Sequence, residues 1–241
     1  MPRFYCEQAL PTGATISLPE HIAHHLRVLR MEPGQRITLF DGQGQEVDAR
    51  LTALDKKSAS AEILEQITRN TELPYRLILA QGLPEGSKMD WIIEKAIELG
   101  ASGIQPLAAQ RSVVKLSPER AAKRRQHWQG IIIAASEQSG RTRLAELGDV
   151  TDLARWSAQP LPAQRLLLTP RADHSLAAWV AKETPRDIAL TIGPEGGFSE
   201  QEENLLISQG ALPVSMGPRI LRTETAGLAA LSIVNAAWGQ M

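Results

Sequence analysis

The sequence is poor in cysteine: Cys6 is the only one among 241 residues. A single thiol can form neither an intrachain disulfide nor a cluster of thiolate metal ligands, which excludes disulfide-stapled scaffolds and zinc ribbons. This usage fits a reducing compartment. We expect Cys6 to be a small apolar residue in an N-terminal strand, and we expect no metal site.

Long apolar runs are also absent. No segment approaches the roughly 18 uninterrupted apolar residues that a membrane-spanning helix requires. The first residues do not form a charged leader followed by an apolar stretch. The chain is therefore expected to be cytoplasmic and to have no membrane partner.

The chain lacks a large net charge, since 26 Lys and Arg stand against 27 Asp and Glu. It is therefore not a polycation that coats nucleic acid indiscriminately. The charge is nevertheless uneven, because residues 111–143 hold eight basic residues and two acidic ones. This local excess indicates a face that binds a polyanion at a selected site, or alternatively an ordinary solvated helix face.

Several catalytic motifs are missing. The sequence has no Gly-x-Ser-x-Gly elbow, no His-Glu-x-x-His and no Gly-x-Gly-x-x-Gly that opens a helix after a strand. Gly82 and Gly86 are one residue too close for a Walker phosphate loop, which excludes nucleoside triphosphate hydrolysis of that type. His24 and His25 lack further candidate ligands, so surface or RNA contact is the better interpretation for them.

The hydrophobic pattern predicts two domains. Residues 1–70 contain short alternating segments separated by turn residues, which predict a small β-rich domain with one helix near residues 21–30. A polar segment at 69–74 ends in proline and marks a boundary. Residues 74–241 alternate apolar runs of strand length with amphipathic segments, which predicts an α/β domain with a mainly parallel sheet.

Two strand-to-loop junctions in the second domain are candidates for a ligand site, because ligands of open α/β sheets bind beyond the carboxyl ends of strands. Residues 190–198 carry three glycines and Glu195, and a capping box follows at Ser199. A tight structural turn would account for the same glycines. Residues 214–226 supply Arg219 and Arg222 before a helix of small residues, which is either simply buried or a subunit interface.

Taken together, these motifs resemble the RsmE family of SPOUT-class methyltransferases, which use S-adenosylmethionine to methylate N3 of a uridine in 16S ribosomal RNA. The resemblance covers essentially the whole chain. It rests on residues 25–30, 33–34, 40–42, 95–100, 136–141, 192–197 and 217–225.

The resemblance implies a fold and partners. Residues 1–70 are expected to form a PUA-like β-barrel that contacts RNA, and residues 74–241 a SPOUT α/β domain with a C-terminal trefoil knot. The expected partners are the 16S ribosomal RNA of the small ribosomal subunit and a second copy of the chain in a homodimer.

The resemblance also implies a cofactor site built from three loops. The residues expected to bind S-adenosylmethionine are Leu168, Thr169, Pro170, Ile192, Gly193, Pro194, Gly197, Met216, Gly217, Ile220, Leu221, Arg222 and Thr225. Backbone groups of such loops can bond adenine and ribose while apolar side chains cover the ring.

For the chemistry, we expect Arg222 to orient the base or stabilise charge on it, with Arg141 and Gln138 as helpers. Glu195 is a candidate proton acceptor, although it can equally brace the glycine loop by bonding backbone amides. The residues expected to contact RNA, mainly through phosphates, are Arg3, Arg27, Arg30, Arg111, Arg124 and Arg125.

Two other functions fit the sequence. One is a non-catalytic RNA-binding or ribosome-assembly module that keeps the shell of the enzyme, although the intact glycine loops speak against it. The other is a SPOUT methyltransferase that acts on transfer RNA.

Overall fold

The computed structural model describes residues 1–160 and 163–241. These residues form two compact units. The first consists of residues 1–72 and 136–144, and the second of residues 73–135 and 145–241. The chain thus returns to the first unit for nine residues before it completes the second.

The first unit is built on a five-stranded sheet. Its strands are β1 (Arg3–Tyr5), β2 (Thr15–Leu18), β3 (Arg36–Phe40), β4 (Glu46–Leu54) and β5 (Ala59–Gln66), in the order β1-β3-β4-β5-β2. β1 pairs with β3 in parallel, and the other pairs are antiparallel. Helix α1 (Glu20–Val28) packs Ile22 and Leu26 into the core of this unit. The predicted β-rich N-terminal region with a single helix near residue 21 is confirmed.

The second unit is a parallel sheet with helices. Its strands are β6 (Leu77–Gly82), β7 (Gly103–Ala108), β8 (Glu146–Leu147), β9 (Thr151–Asp152), β10 (Gln164–Leu168), β11 (Ile188–Ile192) and β12 (Leu212–Val214). The order is β12-β10-β11-β6-β7-β8, with β9 also paired to β7, and every pair is parallel. The predicted mainly parallel sheet is confirmed, while the two-residue strands β8 and β9 were not predicted.

The helices of this part of the chain are α2 (Lys88–Glu98), α3 (Pro118–Ser139), α4 (Leu153–Ser157), α5 (Leu176–Val180), α6 (Glu200–Ser208) and α7 (Thr223–Ala237). The last four residues of α3 are counted with the first unit. The capping box of α6 is present: Ser199 Oγ accepts the Glu202 N–H at 3.2 Å, and the Glu202 carboxylate accepts the Ser199 N–H at 2.8 Å.

Helix α7 lies close to the sheet because its sequence has small residues at the contact. A Cβ atom on Gly227 would lie 3.2 Å from Ile192 Cδ1 and 3.3 Å from Leu79 Cδ1. Ala230 and Leu231 are fully buried. Part of the small-residue pattern of α7 therefore serves packing within its own unit.

The parallel sheet determines where a ligand can bind. The carboxyl ends of β6, β10, β11 and β12 meet along one edge, and these four strands are neighbours in the sheet. The order of the strands reverses at this edge. β11 follows β10 on one side, whereas the next strand, β12, which is reached through α6, lies on the other side of β10. Such an edge is the usual position of a crevice in open α/β sheets.

Candidate active site

A cavity of about 420 Å³ lies at this edge of the second unit. Its volume falls within the roughly 300–1,000 Å³ of typical small-molecule sites. The loops after β10, β11 and β12 and the start of α7 form most of its wall, with one side chain from α6 and one from the loop after β7. The lining residues are Arg111, Leu168–Arg171, Ile192–Phe198, Glu203, Met216, Gly217, Arg219–Thr223 and Ala226.

The loop after β11 is packed so closely that glycine is required. A Cβ atom on Gly193 would lie 2.9 Å from the backbone of Gly197, and one on Gly82 would lie 2.6 Å from Pro194 Cδ. Gly197 has φ +65°, a conformation that side chains disfavour, and its N–H donates to the Pro194 carbonyl at 2.8 Å. The glycines thus form a tight turn, and that turn is also a wall of the cavity.

A buried hydrogen-bond chain joins two of the cavity loops. The Thr223 hydroxyl donates to the Gly193 carbonyl at 2.6 Å and accepts from Gln81 Nε2 at 2.8 Å. Gln81 is fully buried, and its Nε2 also donates to the Gly82 carbonyl at 2.9 Å. The end of β6, the loop after β11 and the first turn of α7 are therefore held together through one hydroxyl.

The Glu195 carboxylate accepts hydrogen bonds from the β6–α2 loop and from the first residue of α2. Its Oε1 accepts from Lys88 Nζ at 2.6 Å and from the Glu85 N–H at 3.0 Å. Burial raises the pKa of Glu195, but these hydrogen bonds outweigh it, so the pKa lies below its ordinary value. The carboxylate stays ionised at neutral pH, and its contacts are those of a residue that braces the loop.

A second carboxylate belongs to the wall of the cavity. Glu203 projects from α6 and is nine-tenths buried. Its Oε1 lies 2.7 Å from Arg171 Nη2, and its Oε2 accepts from Thr169 Oγ1 at 3.3 Å. This triad ties the loop after β10 to α6.

The three arginines that flank the glycine loops differ in their partners. Arg111 Nη1 donates to the Gly196 carbonyl at 3.0 Å and to the Phe198 carbonyl at 3.4 Å, so it supports the loop. The guanidinium groups of Arg219 and Arg222 have no hydrogen-bond or ion-pair partner within the described part of the chain. Arg222 is exposed and is the N-cap residue of α7. Its guanidinium is therefore available to a ligand.

The structure places the sequence-predicted cofactor residues around one cavity, with one exception. All of them line it except Thr225, which is exposed on the first turn of α7. Glu195 also lines the cavity. Gln138 and Arg141 belong to the first unit, where Gln138 is exposed and Arg141 is buried with its Nη2 2.6 Å from Glu72 Oε2.

The predicted RNA contacts are in varied environments. In the first unit, Arg27 and Arg30 are exposed, whereas Arg3 is partly buried with its Nε 2.7 Å from Glu46 Oε1. In the second unit, Arg125 Nε lies 2.9 Å from Asp149 Oδ1. Arg124 carries no such pair.

Sequence reasoning missed several lining residues: Arg171, Phe198, Glu203, Arg219 and Thr223 were not assigned to the cofactor. Glu203 lies inside a predicted helix, and its ion pair with Arg171 spans 32 residues of sequence. Phe198, Arg219 and Thr223 carried a signal, because they lie in the two junctions that supplied other predicted residues.

Within residues 1–160 and 163–241, no three His, Cys, Asp or Glu side chains are grouped so that they could hold a metal ion. In the same residues, no helix combines the length and the apolar character that crossing a membrane demands.

Two family models match the chain. Residues 71–235 match an RNA methyltransferase domain, and residues 18–64 match an RNA methyltransferase PUA domain. The first match alone covers more than half of the sequence.

Individual proteins are similar over nearly the whole length. Ribosomal RNA small subunit methyltransferase E of Bacillus subtilis is 34% identical, with 98% of this chain and 96% of the relative covered. The protein of the same name from Synechocystis is 36% identical, with 92% of this chain and 73% of the relative covered.

Solved structures are similar in fold. The crystal structure of ribosomal RNA small subunit methyltransferase E from Neisseria gonorrhoeae bound to S-adenosylmethionine has a TM-score of 0.92 at 40% identity and covers 99% of this chain and 98% of that one. A methyltransferase from Legionella pneumophila in complex with the same cofactor has a TM-score of 0.92 at 38% identity, with 98% and 97% covered.

Proposed function

The chain belongs to the ribosomal RNA small subunit methyltransferase E family, and on that premise we propose that it transfers a methyl group from S-adenosylmethionine to N3 of a uridine in 16S ribosomal RNA. The observation that carries the proposal is the cavity at the carboxyl edge of the parallel sheet. Nearly every residue that the family resemblance assigns to the cofactor lies on its wall.

The cavity fits the chemistry of the cofactor. Ile192, Leu221 and Phe198 provide apolar surface for a purine ring, and exposed backbone groups of the glycine loops provide donors and acceptors for adenine and ribose. The carboxylate of Glu203 and the guanidinium of Arg171 can meet the ammonium and carboxylate of an amino acid. When bound, S-adenosylmethionine supplies an electrophilic methyl group on a sulfonium.

The protein has three tasks in methylation of N3. It has to orient the uracil, help remove the imide proton, and stabilise the negative charge that grows on the uracil oxygens. We assign orientation and charge stabilisation to Arg222, because its guanidinium is unpartnered at the wall of the cavity.

Glu195 is the weaker candidate for proton acceptor. A carboxylate with a lowered pKa is a poor base, and its two hydrogen-bond donors come from the β6–α2 loop and from the first residue of α2. We therefore assign Glu195 to the bracing of the glycine loop. Gln138 and Arg141 stay proposed helpers, although Arg141 is already bound to Glu72.

We further propose that residues 1–70 form the RNA-contacting domain and residues 74–241 a knotted SPOUT domain that carries out methyl transfer. The chain is proposed to act as a cytoplasmic homodimer. Helix α7 supports this, because Ala229 and Ile233 are only partly buried within their own unit. Small and apolar side chains on one helix are suited to close packing against another copy.

The proposal is tested by deleting the gene and quantifying N3-methyluridine in purified 16S ribosomal RNA by mass spectrometry. We expect the modification to disappear and to return on complementation. If N3-methyluridine is lost from transfer RNA and not from 16S ribosomal RNA, the substrate is transfer RNA. Calorimetry that detects no S-adenosylmethionine binding to the purified protein would favour the non-catalytic RNA-binding module.

A further inference from the structure

We propose that a second groove, of about 690 Å³ at the start of α3, binds the phosphodiester backbone of the substrate RNA. The inference rests on the proposed function and extends it, because it names the surface that holds the RNA. The groove is formed by the segment before α3 and by the first turns of that helix, and all of its residues belong to the second unit.

Four cations line the groove: Lys115, Arg120, Lys123 and Arg124. Within the described residues, none of the four forms an ion pair with a carboxylate. The neighbouring Arg125, by contrast, is paired with Asp149 at 2.9 Å. Arg120, Lys123 and Arg124 share one face of the helix, since residues three and four apart are neighbours on its surface.

Among the residues that the structure describes, no aspartate or glutamate lines the groove. Asp90, which is bonded to the groove residue His127, has both oxygens occupied, by His127 Nε2 at 2.9 Å and by Trp128 Nε1 at 3.0 Å. Four like charges in one concave surface repel each other, and a bound polyanion relieves that repulsion. On a chain of net charge −1, this concentration favours phosphate as the ligand.

The uncharged residues of the groove are also suited to contact with the RNA backbone. Val113 is 70% exposed beside the cations, and an aliphatic side chain can lie against ribose. The described lining includes no Phe, Tyr or Trp, and its one aromatic ring, that of His127, is bonded to Asp90 at 2.9 Å, so the groove lacks the row of aromatic rings on which successive bases stack. The groove is therefore expected to position RNA without reading its sequence.

A short piece of chain links the groove to the candidate active site. Arg111 lines the cavity and Val113 lines the groove, with only Ser112 between them. Ser112 is buried, and its Oγ accepts the Ala109 N–H at 3.3 Å, which anchors the segment. RNA held by phosphates in the groove would thus lie next to the cavity in which its base reacts.

The test replaces two groove cations, in the double variant Lys123→Ala and Arg124→Ala. Its matched control is Arg155→Ala with Lys182→Ala, which removes one arginine and one lysine that are exposed elsewhere in the second unit. The affinity of each protein for a short fluorescein-labelled single-stranded RNA is measured by anisotropy over a range of KCl concentrations. Calorimetry measures the binding of S-adenosylmethionine, and ultracentrifugation the oligomeric state.

We expect the groove variant to lower the slope of log Kd against log salt by about 1.4, because each of two lost phosphate contacts on a single strand contributes about 0.7. At 0.1 M salt this corresponds to binding that is about 25-fold weaker. The control should match the wild type, and S-adenosylmethionine affinity should be unchanged in both. RNA binding and salt slope equal to the wild type would overturn the groove. A changed oligomeric state with unchanged RNA affinity would overturn it too, by making the groove a contact between copies.

Methyl-transfer assays distinguish a failure of the proposed activity from a failure of the groove. Wild-type protein that binds RNA but transfers no methyl group to 16S ribosomal RNA contradicts the proposed activity and leaves the groove result standing. Normal methyl transfer by the groove variant at its wild-type KM for RNA contradicts the groove and leaves the activity standing.

Discussion

At the scale of single residues, the hydroxyl of Thr223 has the largest structural consequence for the candidate site. It bonds the Gly193 carbonyl and the Gln81 amide at once; Gly193 lines the cavity, and Gln81 is fully buried. Thr223→Val keeps the shape but removes the donor to the Gly193 carbonyl and leaves Gln81 Nε2 with the Gly82 carbonyl as its remaining partner. A buried group left unpaired costs about 1–3 kcal/mol. We expect weaker S-adenosylmethionine binding in calorimetry and a lower Tm.

Thr223→Ser is the control for this prediction, because it restores the hydroxyl without the methyl group. We expect the serine variant to bind S-adenosylmethionine nearly as tightly as the wild type. If the valine variant matches the serine variant in cofactor affinity, the hydrogen-bond chain does not shape the cavity.

Arg222 is the second residue for which the structure supports a specific outcome. Its guanidinium is unpartnered at the cavity wall, so its removal should disturb folding little. We expect Arg222→Ala to keep S-adenosylmethionine affinity in calorimetry and to lose about 10²–10³-fold in kcat, as for removal of one preorganised charge-stabilising donor. Arg219→Ala removes the other positive charge of the same loop, and its kcat shows whether the effect is specific to position 222. Unchanged turnover of Arg222→Ala would remove this residue from the mechanism.

At the scale of elements, the ion pair between Lys88 at the start of α2 and Glu195 in the β11–α6 loop depends on pH. Burial raises the pKa of Glu195, but the hydrogen bonds from Lys88 and the backbone outweigh it and leave that pKa lowered, while the hydrogen bond to Glu195 is the main cause of the raised pKa of Lys88. The depressed carboxylate adds stability above its unfolded pKa of about 4.3, and that stability is lost as the pH falls through the folded pKa. The raised ammonium adds stability below its unfolded pKa of about 10.4, and that stability is lost at higher pH.

This linkage gives a prediction for Glu195→Gln. From neutral pH down to about pH 3, the wild type should lose more unfolding free energy than the variant, because only the wild type protonates at this position. Urea unfolding at a series of pH values measures the difference, and parallel curves would contradict the linkage.

The same variant separates bracing from proton transfer. If Glu195 braces the loop, Glu195→Gln should change kcat less than about tenfold, whereas loss of a general base costs about 10²–10⁴-fold. The rate is measured at saturating S-adenosylmethionine, so that a change in cofactor affinity does not enter kcat.

Much of the element structure was predictable because its signals are local. The capping box at Ser199–Glu202 depends only on nearby residues, and it appears in the structure. Helix α7 begins at Thr223, earlier than the small-residue run at 226 suggested, because the Arg222 carbonyl accepts the N–H groups of Thr225 and Ala226. Strands β8 and β9 have two residues each, too few for any periodicity to appear.

At the scale of the whole molecule, the proposed homodimer depends on the outer face of α7. Ala229 is partly exposed on this helix, so Ala229→Glu should leave the protomer folded while placing a charge in the interface. We expect sedimentation equilibrium to show a dimer for the wild type and a monomer for the variant, with similar far-ultraviolet circular dichroism. A dimer that survives Ala229→Glu would place the interface on another face.

By itself, the sequence determined the features that depend on local pattern. The glycines at 193–197, the order of apolar segments and the helix caps predicted a parallel α/β sheet with a ligand crevice near Gly193, and the structure has the sheet and a cavity at that position. Only the tertiary structure decided which charges are paired. Lys88 meets Glu195 across 107 residues of sequence, while Lys123 and Arg124 meet no carboxylate within the described residues. Pairing of distant charges depends on how strands and loops are brought together in space, and no local pattern encodes it.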